Sequence, residues 1–179
     1  MSAVLQLTRQ QVLDLNPCSP NKIPYFRGRK SLTAAQALEA GSSIPDLLWV
    51  ANKIGRKDLC VKFALACAHR VSHLNTDARV KSALKAVQTW LDYPNEITTI
   101  AAFAAYITTY ARVYATPTDA NVRNAAAYAA ACAASTASAA SAGYTATCAA
   151  TCAAKAAPDP VREREEQKRI FLEIFSEPT

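Results

Sequence analysis

The sequence predicts an all-α protein: stacked antiparallel helical hairpins, as a helical bundle or short repeat array, with an alanine-rich region for helix packing. Three observations predict it. Only four glycines occur in 179 residues. The alternation of large apolar and polar residues that marks a half-buried strand is nearly absent. Successive segments place apolar residues three and four apart between helix-capping signals, so about six or seven helices and no sheet are expected.

The elements follow in order. Residues 2–15 form a short amphipathic helix with Thr8 as an N-cap for RQQVLDL. Three prolines in NPCSPNKIP impose a loop. Ser31 or Thr33 caps AAQALEA, which Gly41 ends. Pro45 suits the first turn of DLLWVANKI, with Ser43 or Ile44 just before it. DLCVKFALACAHRVSHL puts Leu59, Phe63, Ala66, Cys67 and Val71 on one helical face. Thr76 or Asp77 caps the next helix, with Val80, Leu84, Val87 and Leu91 at helical spacing, and Pro94 stops it. Trp49, Phe63, Leu84, Val87 and Trp90 are the expected core. EITTIAAFAAYITTYARVYA is a further helix, whose Ile97, Ile100, Phe103, Ile107, Tyr110, Val113 and Tyr114 are expected to supply bulk that alanine lacks. The closing helix is capped by Asp159, with Glu163, Glu165 and Glu166 read as solvated and Ile170, Phe171, Ile174 and Phe175 as a face that must dock.

Two internal repeats stand out. TDARVKSA at Thr76–Ala83 recurs as TDANVRNA at Thr118–Ala125, which suggests a helical hairpin used twice. YAAACAA at Tyr128–Ala134 recurs as YTATCAA at Tyr144–Ala150, inside a stretch (101–157) where 26 of 57 residues are alanine. Alanine combines the highest helix propensity with a one-carbon side chain, so alanine-faced helices can approach closely. In one straight helix the two Tyr-x-x-x-Cys copies would point to opposite sides, being roughly 160° apart. A break near Gly143 would instead let both tyrosines face one core. Both readings stand at this level. Residues 119–157 are expected to be a close-packing surface with Tyr128 and Tyr144 at its edges. The chain thus divides into an N-terminal helical and loop segment (1–57), an alanine-rich core with two related hairpins (58–157) and a charged C-terminal helix (158–179), within one domain.

Net charge is +6 and uneven: residues 1–62 carry nine Lys and Arg against four Asp and Glu, while residues 158–179 carry four against six. The opening residues lack a basic region ahead of a long apolar core, and the alanine stretches are too weakly hydrophobic for a membrane span. Six cysteines without a secretion signal read as free thiols of a cytoplasmic protein, with no membrane association. Cys148 and Cys152 are four apart, as are His69 and His73, but small apolar neighbours favour packing over a metal site. No nucleophile elbow, phosphate loop or dinucleotide fingerprint is present, so neither an enzyme nor a cofactor is expected. The best nucleic-acid candidate is IPYFRGRK, where Lys22, Arg27, Arg29 and Lys30 surround Tyr25 and Phe26.

LNPC at Leu15–Cys18, IPDLLWV at Ile44–Val50, FALACAHRVSHL at Phe63–Leu74, TDARVKSALKAVQTWL and the closing REREEQKRIFLEIF together resemble a group of uncharacterised alanine-rich helical proteins of phages and bacteria. Some of these are similar to proteins labelled as immunity proteins. The resemblance spans nearly the whole chain and supplies no catalytic residues. It implies a phage or bacterial accessory protein that binds and inhibits another macromolecule, such as a host defence factor. A self-assembling structural component and a nucleic-acid or nucleotide binder are the alternatives. The candidate contact residues are the basic loop (Lys22, Tyr25, Phe26, Arg27, Arg29, Lys30), Tyr128 and Tyr144, and the terminal pair Phe171 and Phe175.

Overall fold

The computed structural model describes residues 6–18, 26, 28–114 and 121–176. The chain is an array of nine helices among these residues, 79% helical, with one minor pair of strands. Strand β1 (Gln6–Thr8) leads into α1 (Arg9–Asp14), and β2 (Ser31–Thr33) into α2 (Ala34–Glu39). Then come α3 (Ile44–Lys53), α4 (Lys57–Val71), a short 3-10 turn, α5 (Ala78–Asp92), α6 (Glu96–Tyr114), α7 (Asn121–Ser138), α8 (Ala142–Ala156) and α9 (Pro160–Ser176).

The strand pair corrects the expectation of no sheet and of a helix over 2–15. The strands are three residues long and antiparallel, with Leu7 opposite Leu32. So short a strand leaves no periodicity to read. Its signal is instead a local repeat: Leu-Thr-x-x-Gln occurs at Leu7–Gln11 and again at Leu32–Gln36. In each copy the threonine ends the strand and caps the helix. Thr8 Oγ1 accepts from the Gln11 N–H while Gln11 Oε1 accepts from the Thr8 N–H, and Thr33 and Gln36 do the same. Ser43 and Asp46 form a third such capping box, with Pro45 in the first turn.

Helix α4 lies at the centre. Leu59, Cys60, Val61, Phe63, Ala64, Leu65, Cys67, Ala68 and Val71 are all buried, so it is covered nearly all round, and Ala66 is only half-buried. Against it pack α3, α5, α7, α8 and α9. Val80, Leu84, Val87 and Trp90 are buried as expected, whereas Trp49 and Leu91 are half-buried. Trp49 falls short of the core because it lines an apolar cavity of about 390 Å³ beside α3, with Leu7, Val12, Phe26 and Phe175.

The alanine array resolves into a hairpin. Helices α7 and α8 form the most extensive helix pair. Eight alanines of α7 (Ala126, Ala127, Ala129, Ala130, Ala131, Ala133, Ala134, Ala137) are buried. So are seven of α8. The chain breaks at residues 139–141, and Gly143 sits just inside α8. Its role is a close approach. A Cβ there would lie 2.6 Å from the Leu48 carbonyl oxygen and 3.0 Å from the Trp49 nitrogen. The hydroxyls of the array return to their own helix: Thr136 donates to the Cys132 carbonyl at 2.7 Å and Thr147 to that of Gly143 at 3.0 Å. Among the described residues no buried side-chain polar atom lacks a partner.

Helix α9 closes the array. Phe171 meets Phe63 edge-on at 5.7 Å and stacks on Phe175 at 4.0 Å. Glu163, expected in solvent, is 5% exposed. Its carboxylate receives Arg70 Nε at 2.9 and 3.0 Å, and Gln167 links the group to the Ala150 carbonyl. This ion pair ties α9 to α4.

Gly143→Ala should lower stability by about 1–3 kcal/mol, because backbone rather than a flexible side chain stands in the way. Ala130→Leu and Ala149→Leu should cost at least as much, and the half-buried Ala157→Leu much less. Chemical denaturation would measure all four. Arg70→Met should cost up to about 3 kcal/mol by stranding a buried carboxylate, and Arg70→Met combined with Glu163→Met should recover most of it.

Candidate interaction surface

Helix α6 begins at an Asn-x-x-Thr box: Asn95 Oδ1 accepts from the Thr98 N–H at 2.9 Å, and Thr98 Oγ1 accepts from the Asn95 N–H at 3.1 Å. Its inward face is built from small residues. Thr99 Oγ1 accepts from Trp90 Nε1 at 3.0 Å and donates to the Asn95 carbonyl at 2.7 Å. Ala102 is fully buried. Thr109, also fully buried, donates to the carbonyls of Ala105 (2.8 Å) and Arg79 (3.3 Å). These contacts set α6 against α5 and α7.

The bulk therefore points outward. Tyr93, Ile97, Ile100, Phe103 and Ile107 are exposed, from 47% at Ile107 to 79% at Ile97. Ile97, Ile100, Phe103 and Ile107 recur three or four residues apart, so they form one stripe along the helix, with Tyr93 exposed in the turn before it. The bulk that Ile97, Ile100, Phe103 and Ile107 were expected to supply is thus at the surface: a neighbour faced with alanine accepts only a small-residue face at close range. On the same outer side Ala101, Ala104, Thr108 and Ala111 are exposed. Residues 97–111 contain no Asp, Glu, Lys, Arg or His. The five large side chains present on the order of 600 Å² of largely apolar surface, at the upper end for a monomer's largest patch. A row of aromatic rings flanks the stripe: Phe103–Tyr106 (6.1 Å), Tyr106–Tyr110 (5.4 Å) and Tyr110–Tyr128 (5.7 Å, edge-on).

The sequence-predicted contact residues fare differently. Phe171 and Phe175 are buried, so their face is spent within the chain. Tyr128 is half-buried against Tyr110. Tyr144 is 72% exposed, and the neighbouring Cys148 thiol raises the pKa of its hydroxyl. In the basic loop Phe26 is buried with Leu32 and Ala37, so it offers no stacking face. Arg29 and Lys30 are exposed. Lys22, Tyr25 and Arg27, like the start of the second TDA repeat at Thr118–Ala120, lie outside the described residues. The α6 stripe was missed although part of its signal is in the sequence: large apolar residues three and four apart with no charge among them.

The described cysteines are free thiols, in two environments. Cys60 and Cys67 are fully buried; burial pushes the Cys60 thiol up to about 12 and that of Cys67 higher still. Cys132, Cys148 and Cys152 are half-buried along the α7–α8 seam. Among the described residues no group of His, Cys, Asp or Glu is arranged to hold a metal ion, and no helix is long and apolar enough to cross a membrane. In comparison with known proteins, no family model, no curated protein and no solved structure matches the chain.

The two faces of α6 make separable predictions. Ala102→Leu, on the inner face, should destabilise by about 1–3 kcal/mol, whereas Ala104→Leu, two residues on, should change stability by less than about 0.5 kcal/mol. A larger loss for Ala104→Leu than for Ala102→Leu in urea denaturation would mean that the helix is turned the other way.

Proposed function

We propose that this chain is a non-enzymatic binding protein that acts by docking the outer face of α6 onto an apolar groove of another protein. The observation that carries the reading is the stripe Ile97–Ile100–Phe103–Ile107, which leaves large apolar side chains in water on a helix otherwise firmly packed. Burying such side chains is worth about 1.5–3 kcal/mol each, and anchors three and four apart are what a helix-accepting groove reads. The resemblance to alanine-rich phage and bacterial proteins points the same way, toward an accessory protein that neutralises a macromolecular target. A nucleic-acid reading is weaker, since Phe26 is buried in the core rather than offered for stacking.

A second reading, self-assembly, has one observation in its favour. Large residues (Ile97, Ile100, Phe103, Ile107) and small ones (Ala101, Ala104, Thr108, Ala111) share the exposed side of α6. Two copies laid antiparallel could therefore set bulk against alanine, with no like charges opposed.

The test is Ile100→Asp combined with Phe103→Asp, purified from the native host alongside the wild type. The variant should keep its helicity and its melting temperature. It should lose a stoichiometric protein partner that the wild type retains. Retention of that partner by the variant would remove α6 from the binding surface. Light scattering separates the second reading: a wild-type dimer that becomes a monomer in the variant identifies the partner as another copy.

A further inference from the structure

The apolar interior is divided. A small cluster of Phe26, Leu32 and Ala37 stands apart from the main core. The cavity of about 390 Å³ lies between the two, lined by Phe26 and Ala37 of the small cluster and by Ala51 and Phe175 of the main one. Its walls are fixed from both sides. Leu32 is held opposite Leu7 in the strand ladder, and Thr33 next to it caps α2. Across the cavity, the backbone of Trp49 abuts Gly143 of α8. A cavity whose walls cannot collapse keeps its volume, and this one is roughly two and a half times the size that holds benzene.

We propose that this cavity is a binding site for a small apolar amine, an alkyl or aryl body of roughly ten to fifteen non-hydrogen atoms that ends in an ammonium group. The site is independent of the α6 face. The body of the ligand follows from the lining, which is apolar apart from Cys18, Thr33, Ser42 and Asp46. Mostly apolar walls with a few polar groups to set orientation are the usual make-up of a small-molecule site. A bound apolar body would join the two clusters into one continuous core.

The head group follows from charge. Among the described residues that line the cavity, Asp46 alone is charged, and it is exposed, so it marks the mouth. Ser43 donates to its Oδ2 from both N–H and Oγ, at 3.2 and 2.6 Å, and Oδ1 has no partner among the described residues. An ammonium group there gains a charge-assisted hydrogen bond. A carboxylate head would instead face Asp46, and the first turn of α3 offers it little. The N–H groups of Asp46 and Leu47 are bonded to Ser43, and Pro45 has none. Lys53 lies over the Trp49 ring at 5.9 Å but does not line the cavity.

Titration calorimetry of the full chain with decylamine, decanol and decanoate, one alkyl chain with three heads, tests the proposal. A single decylamine should bind per chain, raise the melting temperature and shift the emission of Trp49 to the blue in Trp90→Phe protein. It should bind about fivefold more tightly than decanol, with decanoate the weakest. The net charge is +6, so non-specific adsorption would favour decanoate and give the reverse order. Asp46→Asn, which keeps an acceptor for Ser43, should bring decylamine to the affinity of decanol. Ala37→Trp, which fills the cavity, should abolish binding of all three. Decylamine binding that survives Ala37→Trp, equal affinity of the wild type for amine and alcohol, or no binding at all would overturn the assignment.

Discussion

The closest approach between helices described above is that of Gly143 to the backbone of Leu48 and Trp49, where a single added methyl would meet a carbonyl oxygen at 2.6 Å. The rest of the array depends on this kind of contact. Alanine on alanine gains little from transfer out of water per residue, so it stabilises only when helices come near enough for many weak dispersion contacts to add. Helices α3, α4, α7 and α8 meet this condition together, and the sharp turn at 139–141 lets α8 reach both α4 and α3. Asn52, which donates to the Ala140 carbonyl at 3.2 Å, pins that turn to α3.

Close packing of small residues has a consequence for everything larger. Bulk that cannot enter the alanine layer must sit at its margins. On one margin α4, α5 and α9 supply it, with Phe63, Trp90, Phe171 and Phe175 forming the conventional part of the core. On the other margin α6 lays its small face inward, and Ile97, Ile100, Phe103 and Ile107 are left outside. The candidate docking face is thus a by-product of how the interior is packed.

Polar groups follow a parallel economy. The array contains many Ser and Thr, and the buried ones bond back to carbonyls of their own helices, so the surfaces between helices stay apolar and smooth. Where a charge is buried, as at Glu163, it is met by Arg70 and Gln167 and serves to position one helix on another. Such a pair adds register more than net stability.

Much of this was legible in the residues. Caps at Thr8, Thr33, Ser43, Asp77 and Asp159 and the large-residue periods of α4 and α5 determined the helical class, because capping and helical periodicity are local. The paired Leu-Thr-x-x-Gln strands escaped because three residues carry no period. The orientation of α6, the break between α7 and α8 and the burial of Phe171 and Phe175 were decided only in three dimensions. A helix rich in alanine has little contrast between its faces, so its sequence says that it is a helix and not which side turns inward. Only the neighbours, through the space they leave, make that choice.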